Sequence, residues 1–211
     1  MLPLTGRSTH AQKTGIAMRP IPRLLGLTAV MLAASGCHTV GFYPVEVPPV
    51  AQPVQSSVGV QVSPEIASAT YRFRSWMSGI ANRWTVPYGP RSKEFAIKFL
   101  CAAFERCVES DGAGSKGSAD TWVELTRVDY RVERHAAHML IHARAIRGGS
   151  ELLIDRDYQA TGPSQMGAVF WGGVFAEKAI IRSSTDDALR QIFSALVEDL
   201  LAADRAPPGD P

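Results

Sequence analysis

Alternation of apolar and polar residues predicts the first strands of the chain. Residues 58–62 alternate with period two, and residues 71–74 repeat the pattern. Three further strands are predicted, near residues 121–132, 138–147 and 151–160. The turn sequence Gly148-Gly149-Ser150 separates the last two and is typical of a hairpin. We therefore expect an antiparallel meander in the second half of the chain.

Two segments carry their apolar residues on a single helical face. The first stripe ends at Asp111-Gly112 and consists of Phe95, Ala96, Phe99, Leu100, Ala103, Phe104 and Cys107. The second is predicted to begin at Ser184 or Thr185, where Asp186 and Asp187 favour the positive end of a helix. Its apolar positions are Ala188, Leu189, Ile192, Phe193, Leu196, Val197, Leu200 and Leu201. We expect an α+β domain, with an antiparallel sheet of about four strands covered by two amphipathic helices.

Residues 166–176, between the last strand and the last helix, are both apolar and rich in glycine. One interpretation is a connection that folds Phe170, Trp171 and Phe175 under the sheet. The other is a mobile aromatic loop that binds lipid or a partner, because exposed aromatic residues mark interaction surfaces. These three aromatic residues are the predicted partner-binding site.

The beginning of the chain has the three-part pattern of a secretory signal. Basic residues precede an apolar run from Leu24 to Ala34, and small residues follow it. The run has about eleven residues, fewer than the ~20 that span a bilayer as a helix. Residues 1–36 are therefore predicted to be a cleaved signal peptide. Met18 is a better start than Met1, because residues 1–17 add nothing that a signal needs.

The segment Ala34-Ser35-Gly36-Cys37 resembles the lipobox of bacterial lipoprotein precursors, with Ala34 where leucine is commonest. This resemblance implies cleavage before Cys37, diacylglycerol on its sulfur and a further acyl chain, such as palmitate, on its amino group. Two or more chains would hold the protein firmly on a membrane. His38, rather than Asp, follows the cysteine, which in this family implies the periplasmic face of the outer membrane. The alternative is an ordinary cleaved signal with a chance cysteine.

The predicted mature chain has three parts. Residues 37–57 contain the lipidated cysteine and a spacer rich in proline, which favours an extended conformation reaching up to about 60 Å from the lipid. Residues 58–204 form a single domain, and residues 205–211 form a disordered tail.

The net positive charge of the chain comes from the leader. The formal charge of the whole chain is +2, and it becomes −2 without the leader, because four basic and no acidic residues precede Cys37. Proteins that bind nucleic acid need clustered basic residues, so we expect no nucleic-acid partner.

Histidines and cysteines give the candidate chemistry of the domain. His135, His138 and His142 would share a face on a helix and suggest zinc, but on a strand His135 leaves the group, which favours solvated histidines and no metal. Cys101 and Cys107 would lie ~9 Å apart along a continuous helix. Buried thiols are expected unless that helix ends early.

Other motifs give no catalytic residue and no cofactor site. Residues 112–117 have the composition of a phosphate loop but not its order, and residues 162–167 miss the spacing of a nucleophile elbow. Asp155 and Asp157 would share a strand face, where paired carboxylates are usually solvated. We expect a protein that is not an enzyme.

The order of elements is similar to that of small envelope lipoproteins, such as auxiliary lipoproteins of ABC transport systems and the LPS-assembly lipoprotein. This resemblance implies a non-enzymatic adaptor or accessory subunit that binds another envelope protein or lipid. The alternative is a carrier that shelters an acyl chain or other apolar ligand, and a periplasmic enzyme is a third possibility.

Overall fold

The structure, a computed structural model, describes residues 37–50, 52–74, 83–110, 119–164 and 166–205, without the side chains of residues 166–175. The strands in these ranges are β1 (Cys37–Thr39), β2 (Val54–Val62), β3 (Tyr71–Arg74), β4 (Arg83–Val86), β5 (Phe104–Ser110), β6 (Thr121–Glu133), β7 (Ala136–Arg147) and β8 (Glu151–Thr161). The helices are α1 (Pro64–Ala67), α2 (Tyr88–Ala103) and α3 (Met166–Arg205). The predicted α+β class is confirmed. Arg205, the first residue of the predicted disordered tail, is instead the last residue of α3, and the rest of that tail lies outside the described residues.

The strands form a five-stranded sheet, ordered β5-β2-β6-β7-β8, and a three-stranded sheet, ordered β1-β4-β3. The prediction of one antiparallel sheet is wrong, because β2 runs parallel to both β5 and β6, and β1 runs parallel to β4. Long crossovers make this possible: α1, the β3–β4 pair and α2 all intervene between β2 and its parallel neighbours. The meander β6-β7-β8 is antiparallel as expected.

Helix α2 ends four residues before the predicted limit at Cys107. Phe104 is extended, with φ −122° and ψ 146°, and the chain continues as β5 beside β2. The early end brings the Cα atoms of Cys101 and Cys107 to 5.0 Å, and the two form a disulfide. This separation lies within the usual range for a bridge. The expectation of two buried thiols is therefore wrong.

Helix α3 begins at Met166, not at Ser184 or Thr185. Neither hydroxyl caps a helix end. The Ser184 hydroxyl accepts the Ala137 amide at 2.8 Å, and the Thr185 hydroxyl donates to the Ile181 carbonyl one turn earlier at 2.7 Å. Both residues are fully buried inside the helix. Their preference for caps is satisfied here by tertiary and back-bonded contacts, which a continuous helix tolerates.

The two turns of the meander place residues in the left-handed region. Gly148 and Gly149 have φ values of +55° and +80°, which confirms the predicted hairpin. In the β6–β7 turn, Arg134 and His135 have φ values of 49° and 64°. His135 therefore lies in a turn and not on the strand of His138 and His142.

The core lies between the five-stranded sheet and the two longer helices. Phe193 on α3 packs beside Phe95 and Phe99 on α2, with ring centroids 6.3 Å apart in both pairs. All the predicted α2 stripe residues from Phe95 to Ala103 are buried. The helical faces predicted from the sequence therefore do form the core.

Residues 37–50 differ from the expected spacer, because they pack on the domain. Residues Cys37–Thr39 pair with β4, and Val40 is fully buried with its amide donating to the Thr85 carbonyl at 2.9 Å. Phe42, Val45 and Val47 also contact the core. Apolar residues at these positions outweigh the extended preference of the prolines between them.

Candidate functional site

Cys37 is the first residue of β1 and carries an exposed, free thiol. Its neighbour across the parallel pair is Arg83, and the next residue of β1, His38, pairs with Trp84. The His38 and Trp84 rings are 5.1 Å apart. The predicted lipidation site is thus part of the three-stranded sheet.

Alternation along the three strands divides this sheet into two faces. Trp84 and Val86 are fully buried on the inner face, with Tyr71 and Phe73 partly buried beside them. Directly paired residues project to the same side of a sheet. The outer face therefore holds two rows across the strands, which together we call the arginine face: Cys37, Arg83 and Arg74 in one row, and Thr39, Thr85 and Arg72 in the other.

The arginine face is positively charged. Arg72, Arg74 and Arg83 are exposed, and none has an ion-pair partner among the residues that the structure describes. The sequence that joins β3 to β4, residues 75–82, contains no Asp or Glu. An open depression of about 670 Å³ lies beside the face. Its lining residues are Cys37, Arg72, Phe73, Arg74, Arg83, Trp84 and Thr85.

A second cluster, formed by Phe42, Tyr43, Arg91, Glu94 and Asp186, fixes the segment after β1 to the helices. Arg91 is only 3% exposed and donates to both carboxylate oxygens of Asp186 at 2.7 and 2.8 Å. It also donates to Glu94 and to the Tyr43 carbonyl, each at 2.7 Å. Its guanidinium lies 4.9 Å from the Phe42 ring.

The electrostatics of the Arg91 cluster are those of a partly buried ion pair. Burial raises the pKa of Asp186 above its ordinary value, although Arg91 acts in the opposite direction. Bidentate contacts of this kind are among the stronger charge-assisted hydrogen bonds. The cluster therefore ties α2, α3 and residues 42–43 together as a structural joint.

His142 lies between the two aspartates that the sequence places on one strand face. Its Nδ1 is 2.7 Å from Asp157 and its Nε2 is 2.8 Å from Asp155. These hydrogen bonds, first to Asp157 and then to Asp155, raise the pKa of His142. Two carboxylate partners suit a protonated ring that donates from both nitrogens. The two carboxylates are thus paired, rather than merely solvated as expected.

His135, His138 and His142 do not form one cluster. His135 is buried beside the fully buried Glu177, with Nε2 3.4 Å from the carboxylate, so the expectation that it is solvated is wrong. His138 instead contacts the Thr161 hydroxyl at 3.0 Å. Within the described ranges, no group of three His, Cys, Asp or Glu side chains is arranged to hold a metal ion.

The predicted partner-binding residues Phe170, Trp171 and Phe175 lie on the backbone of α3 and not in a loop. Their side chains are outside the described residues. The segment with the composition of a phosphate loop, residues 112–117, is also outside the described residues. In the segment compared with a nucleophile elbow, the Ser164 hydroxyl donates to the Arg134 carbonyl at 2.7 Å.

Sequence reasoning missed the arginine face and the Arg91 cluster. The alternation Tyr71-Arg72-Phe73-Arg74 was a visible signal for an exposed basic row. Its proximity to Cys37 had no local signal, because β1 and β4 are more than 40 residues apart.

No helix of the described chain combines the length and the apolar character needed to cross a membrane. No family model and no curated protein matches the sequence. Among solved structures, an uncharacterized protein is similar, with a TM-score of 0.45 and 11% identity over 78% of this chain and 97% of its own. A hypothetical protein from Chlamydia trachomatis has a TM-score of 0.39 and 9% identity over 71% of this chain and 99% of its own.

Proposed function

We propose that the protein is an envelope lipoprotein, acylated at Cys37 and held on the periplasmic face of the outer membrane. The observation that carries this proposal is the position of Cys37. It is the last residue of the lipobox-like segment, it is exposed with a free thiol, and it is the first residue of β1. An acyl transferase could therefore reach the sulfur without unfolding the domain.

The proposed anchor changes the expected geometry of the tether. Because residues 37–39 pair with β4 and Val40 is buried, the acyl chains would begin at the three-stranded sheet. The domain would then lie against the lipid surface instead of at the end of an extended spacer. Any partner must be reached from that position.

The test of the anchor compares the full chain with Cys37→Ser in a bacterial host. In the wild type we expect an intact mass that lacks residues 1–36 and includes acyl groups, with the protein in the membrane fraction after an alkaline wash. The Cys37→Ser variant should lose both properties. His38→Ser is the matched control and should keep the acyl mass. Retention of residues 18–36, or unchanged attachment of the Cys37→Ser variant, would contradict the proposal.

We further propose that the anchored domain acts as a non-enzymatic adaptor or accessory subunit for another envelope component. Two features support a role in binding near the membrane. The order of elements predicted from the sequence is similar to that of small envelope lipoproteins, and residues 37–39 would form a short, fixed tether because they pair with β4. Chemical cross-linking in intact cells, followed by purification of the wild-type lipoprotein, should capture the same partner repeatedly. Cys37→Ser should lose that partner.

The contact residues can be tested in the same cross-linking experiment. If Phe170 and Trp171 form the contact, their joint replacement by Ser should abolish capture while the thermal unfolding of the domain stays unchanged. A variant that fails to fold would instead assign these residues to the core.

A further inference from the structure

The arginine face and Cys37 lie on the same side of the three-stranded sheet. Neighbouring strands in a sheet are about 4.8 Å apart. Arg83 is therefore about one strand from Cys37 and Arg74 about two strands from it, along a single row of paired residues. A lipid bilayer that holds acyl chains on Cys37 would lie within roughly 10 Å of these guanidinium groups.

Charge on the arginine face is free to act on a ligand. Arg72, Arg74 and Arg83 are exposed and have no ion-pair partner within the described ranges. By contrast, several exposed arginines on the five-stranded sheet, such as Arg127 and Arg156, have carboxylate partners. The chain after the leader has a net negative charge. The three arginines beside Cys37 therefore form a local positive region on an otherwise mildly acidic domain.

The contribution of these arginines to membrane binding depends on their distance from the lipid surface. Electrostatic attraction to an anionic surface decays over a Debye length, about 8 Å at physiological ionic strength. Basic residues close to such a surface each strengthen binding by about fivefold. The row that begins at Cys37 is close enough for this effect.

We propose that the arginine face binds the anionic headgroups of the leaflet in which Cys37 is anchored, so that the three-stranded sheet lies flat on the membrane. This inference rests on the proposed acylation of Cys37. Guanidinium groups suit phosphate because they present a planar set of donors. The open depression lined by Cys37 and these three arginines gives a headgroup room to enter.

The test is arginine footprinting of the acylated protein. The full lipoprotein is purified from membranes and reconstituted in vesicles of phosphatidylcholine alone, or with about 30% phosphatidylglycerol. Phenylglyoxal then labels accessible guanidinium groups, and mass spectrometry reads each site. In the anionic vesicles, labelling of Arg72, Arg74 and Arg83 should fall about fivefold and recover in about 0.5 M NaCl. Arg106, on β5, is the internal control and should label equally in both vesicles.

A variant provides a second, independent measurement. Hydrogen exchange of β3 should slow in anionic vesicles for the wild type, because β3 is an edge strand whose unpaired amides lose access to water when the sheet lies on the membrane. The variant Arg72→Gln/Arg74→Gln/Arg83→Gln should lose this protection. The control Arg106→Gln/Arg144→Gln/Arg156→Gln removes the same number of charges elsewhere and should retain it.

The outcomes separate the two proposals. Acyl mass on Cys37 together with equal arginine labelling in both vesicle types would overturn the headgroup inference and leave the anchor intact. Absence of acyl mass would overturn the anchor and the inference together. Protection that appears only when an acidic envelope protein is added would assign the face to a protein partner and also overturn the inference.

Discussion

Arg91→Ala should be among the most destabilising substitutions in the domain. The side chain is 3% exposed and its donors are used by Asp186, Glu94 and the Tyr43 carbonyl. Removal of one member of a buried ion pair costs about 3–5 kcal/mol, because the other charge stays desolvated. Glu94 and Asp186 are 39% and 19% exposed, and water relieves part of that penalty. We therefore expect a loss of about 3 kcal/mol in the free energy of unfolding.

The assay is urea denaturation of the wild type, Arg91→Ala and a matched control. Arg190→Ala removes an exposed arginine that contacts Asp187 at 3.3 Å, and its loss should change the free energy of unfolding by less than about 0.5 kcal/mol. The midpoint for Arg91→Ala should fall while the denaturant slope stays the same. A loss below about 1 kcal/mol would refute the reasoning, since it would mean that the Arg91 cluster contributes little more than a surface pair.

The pH dependence of the same variant gives a further check with a defined sign. Arg91 lowers the pKa of Asp186, so its removal moves that already raised pKa further up. The folded variant then binds a proton at a pH where the unfolded chain does not, and its stability rises as the pH falls. The deficit of Arg91→Ala relative to the wild type should therefore shrink as the pH falls below neutral toward the ordinary range of an aspartate. A deficit that grows over this range would contradict the assignment.

Three further predictions concern the rest of the domain. Replacement of Cys101 and Cys107 by Ser should lower the free energy of unfolding by about 2 kcal/mol, the value expected for a short closed loop, as measured by urea denaturation. Asp157→Asn should lower the pKa of His142, followed by NMR titration of the ring protons, because Asp157 is the main cause of the raised value. The stabilisation by His142 should be complete below its unfolded pKa and disappear as the pH rises through the folded one. Gly162→Ala should cost about 1–3 kcal/mol in thermal unfolding, since a Cβ there collides with the Ser184 carbonyl.

Each of these has its own control. Gly41→Ala introduces a Cβ with no atom within 4 Å and should leave the melting temperature unchanged. Reduction of the wild type should reproduce the effect of the double cysteine variant, and a stable reduced protein would contradict a structural role for the bridge. An unchanged titration of His142 in Asp157→Asn would mean that the Asp157 contact does not form in solution.

The parts of the fold that the sequence predicted well are local. The Gly148-Gly149 turn sets the register of β7 and β8 because both glycines adopt positive φ values. The strands of the meander alternate over a dozen residues, long enough for their limits to be read closely. The helical stripe from Phe95 to Ala103 was equally clear.

The errors of prediction come from contacts between distant residues. Residues 104–107 continue the helical spacing of α2, yet pairing with β2 draws them into a strand. Ser184 and Thr185 have the composition of a helix start, but their hydroxyls are bound inside α3. Arg91 gave no signal at all, because a charged residue near a helix start is usually solvated and its partner Asp186 lies 95 residues away.

Cys37, the proposed anchor residue, and the Arg91 cluster are connected through a short piece of chain. Only Val40 and Gly41 separate β1 from Phe42, and Val40 is buried. A pull on acyl chains at Cys37 would therefore act directly on β4 and, through Tyr43 and Arg91, on both long helices. Because no flexible link intervenes, the orientation of the domain follows from the orientation of the three-stranded sheet. An adaptor held in this way would meet its partner beside the membrane, on a surface whose direction is fixed by the fold.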